Sequence, residues 1–345
     1  MTFNPNGVGV SNGNIFGFPI KENDAEHVII PIPWEVTASY KKGSSLAPKA
    51  ILNASTQLDF CHLKLDNADQ IKVYFAAISS QWQKINDKLS QEYILYNEFL
   101  ENGGELSESS KFQEFVSVVN NSQNALRDNL YERSKVLLNK DVVVSVVGGE
   151  HSVPLGLLMA LNDKYSAFGI LQIDAHCDLR QSYQGFDQSH ASIFHNILKE
   201  CNNVTKIVQL GVRDFSMQEF EYSTTSEKII CYFDSVLKEE KFDGKTWGEQ
   251  AEEILNQLPQ NVYISFDVDG LNPLFCPNTG TPVPGGIDYD EIVYLIFKIA
   301  ESGRKIIGFD LCEVSPNPNN DWDANVGARL LWELVCAVEI SKANN

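Results

Sequence analysis

The chain of 345 residues is 43% hydrophobic, 10% aromatic and 21% charged, proportions that exclude a disordered, collagen-like or disulfide-scaffold protein. Its 27 basic residues against 46 acidic ones leave a formal charge of −19, a field that repels nucleic acid and anionic lipid and draws in cationic small molecules. Seven cysteines without a CxxC pair read as reduced thiols, and MTFNPNGVGVSNGN has neither a basic n-region nor an apolar h-region, so a cytoplasmic protein with no nucleic-acid or membrane partner is expected.

In chain order, the first β-branched run is Val28 to Ile32. Residues 79 to 140 follow as a helical insertion, polar overall but with helical spacing in Phe112, Phe115, Val116, Val119 and again in Leu126, Leu130, Leu137, broken by Asn102-Gly103-Gly104. Further runs are Val142 to Val147, Phe168 to Ile173, Lys206 to Leu210, Ile229 to Phe233, Val262 to Phe266 and Lys305 to Phe309. Before the last of them, Asp288 and Glu291 head the stripe Ile292-Val293-Leu295-Ile296-Ile299 as a capping box, and Gly303 stops that helix. The runs are continuous rather than alternating, as strands covered on both sides must be. The alternation predicts an α/β fold: one three-layer α/β/α domain over residues 1–345 with a mostly parallel sheet, since no linker or repeat divides the chain.

Polar clusters follow three predicted strands, where open parallel sheets hold their ligands. Asp174-Ala175-His176-Cys177-Asp178 is the densest. In extended backbone its side chains at i, i+2 and i+4 point one way, bringing two carboxylates and an imidazole together while Ala175 and Cys177 face the packing. Asp267 and Asp269 repeat the pair after Val262 to Phe266, and Gly148-Gly149-Glu150-His151-Ser152 adds a tight turn and a second imidazole. Alone, Ser152 or Asp178 would read as a helix cap, but four Asp gathered at these ends repel one another without a cation. Oxygen donors mixed with imidazole, and no thiolate in phase, favour Mn²⁺ or a similar divalent ion over structural Zn²⁺, with ligands enough for two ions. A metallophosphoesterase would need a later Gly-Asn-His-Asp/Glu that is missing, and no Gly-x-Ser-x-Gly elbow is present.

These three clusters resemble the signatures of the ureohydrolase family, which holds arginases, agmatinases and formimidoylglutamases. The resemblance extends to Gly43, Ala47-Pro48-Lys49-Ala50-Ile51, Asn272-Pro273 and Thr279 to Gly286, and covers most of the chain outside 79 to 140. It implies a sheet of about eight strands and two Mn²⁺ ions, one on His151, Asp174, Asp178 and Asp267, the other on Asp174, His176, Asp267 and Asp269. The ions would stand roughly 3.5 Å apart and acidify a bridging water that attacks the guanidinium carbon. By the same resemblance His190 is the proton shuttle, its imidazole pKa near the ordinary ~6.5, and Glu313 pairs with the substrate guanidinium. Family members form homo-oligomers, trimers or hexamers.

Two positions depart from the family: Glu150 stands for the commoner Asp, and Asn272 for the usual Asp before Pro273. Ser216 stands where arginases carry a carboxylate for the substrate α-amino group, while Asp178-Leu179-Arg180 with Tyr183, Gly185 and His190 looks like agmatinases. Agmatine, giving putrescine and urea, is therefore the expected substrate, with arginine and formiminoglutamate as alternatives. Arg180, continuing the phase of Asp174, is the candidate partner for a substrate carboxylate. A non-catalytic metal-binding relative is the contrasting expectation.

Overall fold

A computed structural model describes residues 3–344. Eight strands, all parallel, form one sheet: β1 (His27–Pro31), β2 (Val73–Phe75), β3 (Val143–Val147), β4 (Phe168–Ile173), β5 (Val204–Val212), β6 (Ile229–Phe233), β7 (Asn261–Asp267) and β8 (Lys305–Cys312), in the order β2-β1-β3-β8-β7-β4-β5-β6. Among the described residues ten α-helices cover its faces: α1 (Ala47–Ala54), α2 (Ser80–Glu101), α3 (Ser110–Leu138), α4 (Leu155–Lys164), α5 (Ile193–Glu200), α6 (Met217–Thr225), α7 (Asp234–Phe242), α8 (Trp247–Asn256), α9 (Tyr289–Glu301) and α10 (Trp322–Ala343). The three-layer architecture agrees with the sequence reading, and the central strands β3, β4, β7 and β8 are buried almost throughout, as their continuous apolar runs require.

Each face has its own core. Ile29, Leu171 and Ile264 pack under α1, α8, α9 and α10, whereas Val28, Val144 and Ile170 pack under α2 to α5. The predicted capping box of α9 is present, with Asp288 and Glu291 bonding across the first turn. The stretch 79 to 140 folds into two long helices, α2 capped by Ser79 and α3 by Ser109, with Asn102-Gly103-Gly104 in the loop between them. Because the three-residue strand β2 precedes it, this stretch is the crossover from β2 to β3 rather than an addition to a finished sheet. All seven cysteines are free, five of them buried. Among the described residues no helix is long and apolar enough to cross a membrane.

Candidate metal centre and active site

The four strands that carry the polar clusters are neighbours at the middle of the sheet, β3-β8-β7-β4, so their C-terminal ends meet at one place. In register, Ile173 pairs with Phe266 and Asp267 with Cys312, which puts Asp174, Asp267 and Glu313 on three adjoining strand ends. His151 enters from the turn after β3. Gly149 is required there, because a Cβ would sit 2.0 Å from the Trp34 carbonyl oxygen.

His151 is fully buried, and its Nδ1 lies 3.0 Å from Asp174 Oδ2, 3.3 Å from Asp178 Oδ2 and 3.5 Å from Asp267 Oδ2. None of these oxygens is in line for a hydrogen bond, so the nitrogen aims into the space between three carboxylates without a partner. A second group shares Asp174: His176 Nδ1 stands 3.1 Å from Asp269 Oδ2 and 3.5 Å from Asp174 Oδ1. Imidazole nitrogens, one buried and one half-buried, converging with buried carboxylates in this way suit a divalent cation. The charges behave accordingly. Burial, and then the neighbouring Asp174, push Asp178 up to about 7, and burial with Asp269 nearby drives Asp267 well above the usual carboxylate range. Burial works to lower His151, but the carboxylates of Asp174, Asp178 and Asp310 outweigh it and hold the imidazole well above its ordinary value.

Side chains behind the cluster fix it. Gln172 Nε2 donates to Asp174 Oδ2 at 3.0 Å and is held in turn by Gln209 at 2.6 Å. Ser265 Oγ meets His151 Nε2 at 2.9 Å. Asp269 accepts from the Ala175 amide and from Thr281, and Arg213 donates to the Asp269 and Leu271 carbonyls, locking the loop after β7. Glu150 accepts from the Thr37 amide and hydroxyl, both at 2.8 Å, and touches no metal-facing atom of the cluster. Asn272 Oδ1 takes the Leu274 amide in a surface turn, and its Nδ2 donates to Asp288 Oδ1 at 3.3 Å.

Two expectations change in the structure. Strand β4 ends at Ile173 and Asp178 adopts a left-handed φ of 53°, so Asp178 and Arg180 reach the site through a bend and not through a continued period-two strand. His190 is not an ordinary imidazole: burial, with His176, Lys42 and Arg180 nearby, lowers it to about 3. Its Nδ1 lies 3.5 Å from Thr37 Oγ1 and its Nε2 3.4 Å from Ser39 Oγ.

A cavity of about 150 Å³ opens above the cluster, lined among others by Ser39, His176, Asp178, Arg180, Tyr183, His190, Asp214 and Glu219. Arg180 Nε stands 3.4 Å from Glu219 Oε2, and its guanidinium lies over the Tyr183 ring. Ser216 is absent from this lining. It caps α6, exchanging hydrogen bonds with Glu219, and faces a neighbouring cavity. Glu313 lies deeper, with left-handed backbone (φ 63°), Oε1 accepting from the His151 amide at 2.9 Å. Sequence reading missed Thr37, Ser39 and Glu219. The pattern Ser216-Met217-Gln218-Glu219 was a legible capping box, whereas the two hydroxyls come from a distant loop with no local signal.

Known proteins resemble this chain throughout. The N(1)-aminopropylagmatine ureohydrolase of Thermus thermophilus is 29% identical over 294 residues, 85% of this chain and 84% of that protein. An agmatinase of Halalkalibacterium halodurans is 35% identical over 185 residues, 53% of this chain and 58% of its own length. Among solved structures, a hypothetical agmatinase from Burkholderia thailandensis shares the fold with a TM-score of 0.72 at 21% identity, over 99% of this chain and 93% of that one. The sequence profile of the arginase family matches residues 25–337, so the chain belongs to the arginase family and is a hydrolase of carbon–nitrogen bonds in linear amidines.

Proposed function

We propose that the protein hydrolyses agmatine to putrescine and urea at two Mn²⁺ ions. The observation that carries this reading is the buried, partnerless Nδ1 of His151 among three carboxylates, beside a second imidazole–carboxylate group that shares Asp174. His151, Asp174, Asp178 and Asp267 would hold one ion, and Asp174, His176, Asp267 and Asp269 the other. Bound there, the metal supplies a water acidified towards neutral pH and a Lewis acid for the guanidino group.

The chain's own residues supply the rest. Glu313, with Oε1 occupied by the His151 amide, has Oε2 to pair with the planar guanidinium. His190 is neutral at neutral pH. Thr37 gives its own hydroxyl proton to Glu150, so its lone pairs face His190 Nδ1 and favour the proton on that atom. That tautomer leaves Nε2, beside Ser39, as the atom that takes up a proton and passes it to the departing amine.

The substrate's tail faces Asp214 and Glu219 beside Arg180, which Glu219 already engages. An ammonium tail suits that lining, whereas an α-carboxylate would have to compete for Arg180. Ser216, occupied as a helix cap, offers such a tail nothing. Self-association as a trimer or hexamer in the cytoplasm belongs to the same reading, and light scattering measures the first.

The test is product release from Mn²⁺-loaded protein: urea from agmatine, arginine and guanidinobutyrate, and formamide from formiminoglutamate. Agmatine is expected first, and Arg180→Ala should barely change it. A wild-type preference for arginine above roughly tenfold, about 1.4 kcal/mol, that disappears in Arg180→Ala would overturn the substrate assignment. Two bound ions with neither urea nor formamide from any of the four would make the chain a non-catalytic metal-binding member.

A further inference from the structure

We infer that the crossover helices α2 and α3 act as a clamp that positions His190, with Asn120 as a positioning residue for catalysis; the inference rests on the role proposed above for His190. The segment before His190 is held in a conformation it does not favour by itself. Tyr183 and Phe186 exchange backbone hydrogen bonds at 3.1 and 2.9 Å, closing a tight turn whose two central residues, Gln184 (φ 52°) and Gly185 (φ 79°), are both left-handed. Glycine adopts that conformation freely, but glutamine does so only where its surroundings impose it.

The surroundings here are side chains of α2 and α3. From α2, Tyr93 Oη donates to Gln184 Oε1 at 2.7 Å and Tyr96 Oη to the Gln184 carbonyl at 2.8 Å, while Asn97 accepts from Gln184 Nε2 at 3.2 Å. From α3, Asn120 grips the backbone at two points: its Nδ2 donates to the Gly185 carbonyl at 3.3 Å, and its Oδ1 accepts the Asp187 amide at 3.1 Å. Phe186 is fully buried between the rings of Tyr93, Tyr96 and Phe115.

Beyond the turn, the chain delivers two side chains to the cavity. The Tyr183 ring meets the His190 ring edge-on at 5.8 Å, and both line the space above the metal cluster. Among the described residues the hydrogen-bond partners of the His190 ring are long contacts to Thr37 and Ser39, 3.5 and 3.4 Å away, too weak to fix the imidazole alone. The His190 backbone amide donates to Thr37 Oγ1 at 3.3 Å, and the segment that leads into it is set by the clamp. The same two helices reach the other loops of the site: Asn86 of α2 takes the Glu35 amide at 2.7 Å, and Gln123 of α3 donates to Ser152 at 3.0 Å. The crossover thus performs for the site's loops what side chains behind a ligand do for a metal centre.

The experiment compares Asn120→Ala, Asn120→Asp and Tyr93→Phe with wild type in the Mn²⁺-loaded full chain, in normal and His190→Ala backgrounds. Expected are two ions retained, a loss of about 10- to 100-fold in kcat with little change in KM for Asn120→Ala, and a smaller loss for Asn120→Asp, which keeps the acceptor. In the His190→Ala background Asn120→Ala should lower kcat no further; an undiminished loss there would mean a general structural role and overturn the inference. An activity-independent readout is the His190 signal among the six histidines of metal-free ¹⁵N-histidine-labelled protein, which should shift or broaden in Asn120→Ala while His27 stays put. A folded variant with unchanged kcat and an unchanged His190 signal would also overturn it. Should wild type release no urea, the reading of function fails, and the histidine signal still decides the clamp. If Asn120→Ala does not fold, Tyr93→Phe, which removes one hydroxyl, carries the same comparison.

Discussion

Asp174 touches both imidazoles of the centre, through Oδ2 to His151 and Oδ1 to His176, and among the described residues no other carboxylate does so within 3.5 Å. Its removal takes a donor from both groups and leaves Asp178, Asp267 and Asp269 facing one another. Asp174→Ala is expected to lose both ions, whereas Asn272→Asp, in a surface turn, should lose neither; metal analysis after dialysis reads both, and two ions retained in Asp174→Ala would refute the shared-ligand arrangement. His190 has a different part. His190→Ala should keep two ions and lose about 10²- to 10⁴-fold in kcat, the range for a positioned proton-transfer group. Metal loss in that variant would make His190 a ligand.

Packing between elements sets tolerances that residue chemistry does not. Helices α3 and α4 approach so closely that a Cβ on Gly156 would lie 2.3 Å from the Arg127 carbonyl oxygen and 2.9 Å from the Tyr131 amide, both backbone atoms. Gly156→Ala should therefore push the helices apart and cost about 1–3 kcal/mol despite alanine's better helix propensity; equilibrium denaturation measures it, and a stabilised variant would contradict the close approach.

How legible each element was in the sequence follows from its environment. Strands β1, β3, β4, β5, β7 and β8 announced themselves because burial on both faces demands continuous β-branched runs, the half-buried edge strand β6 carries such a run too, and β2 has only three residues and no such run. The helix α10 is apolar on nearly all sides and lacks a side-chain cap, so periodicity gave no sign of it. At the site, the motifs marked His151, Asp174, His176, Asp267 and Asp269 as a group because the donors cluster locally. The approach of Thr37, Ser39 and Asn120 to the His190 segment depends on folding over long separations, and the bend at Asp178 on a left-handed residue that composition does not reveal.

Across the whole molecule, one buried histidine outside the centre ties stability to pH. His27 on β1 is fully buried, its Nε2 against Ser145 at 2.9 Å and its Nδ1 without a partner, and burial holds it well below its ordinary value. The unfolded chain takes up a proton as pH falls below ~6.5, but the folded chain does not. Unfolding then binds more protons than the native state holds, so the His27 contribution is present above that pH and lost as pH falls, by up to about 1.4 kcal/mol per unit. Denaturation of wild type and His27→Gln between pH 7 and 5 should show the shallower slope in the variant; parallel slopes would count against it.

The order β3-β8-β7-β4 implies a schedule for how the protein is made. Strands β3 and β4 are synthesised one after the other, yet they end up with two strands between them that arrive about a hundred residues later and beyond. Until residue 312 has emerged, the half-built sheet has a gap at its centre, its inner edges unpaired and open to wrong partners. His151 and Asp174 flank that gap, so the centre closes only when the last strand slides in. Such late, long-range pairing makes folding slow, and an ion that binds only the closed arrangement acts as a latch on the whole sheet. Mn²⁺ should accordingly raise the melting temperature of the entire chain in one transition, not that of a local segment, and differential scanning calorimetry with and without metal would show a separate low-temperature transition if the latch were merely local.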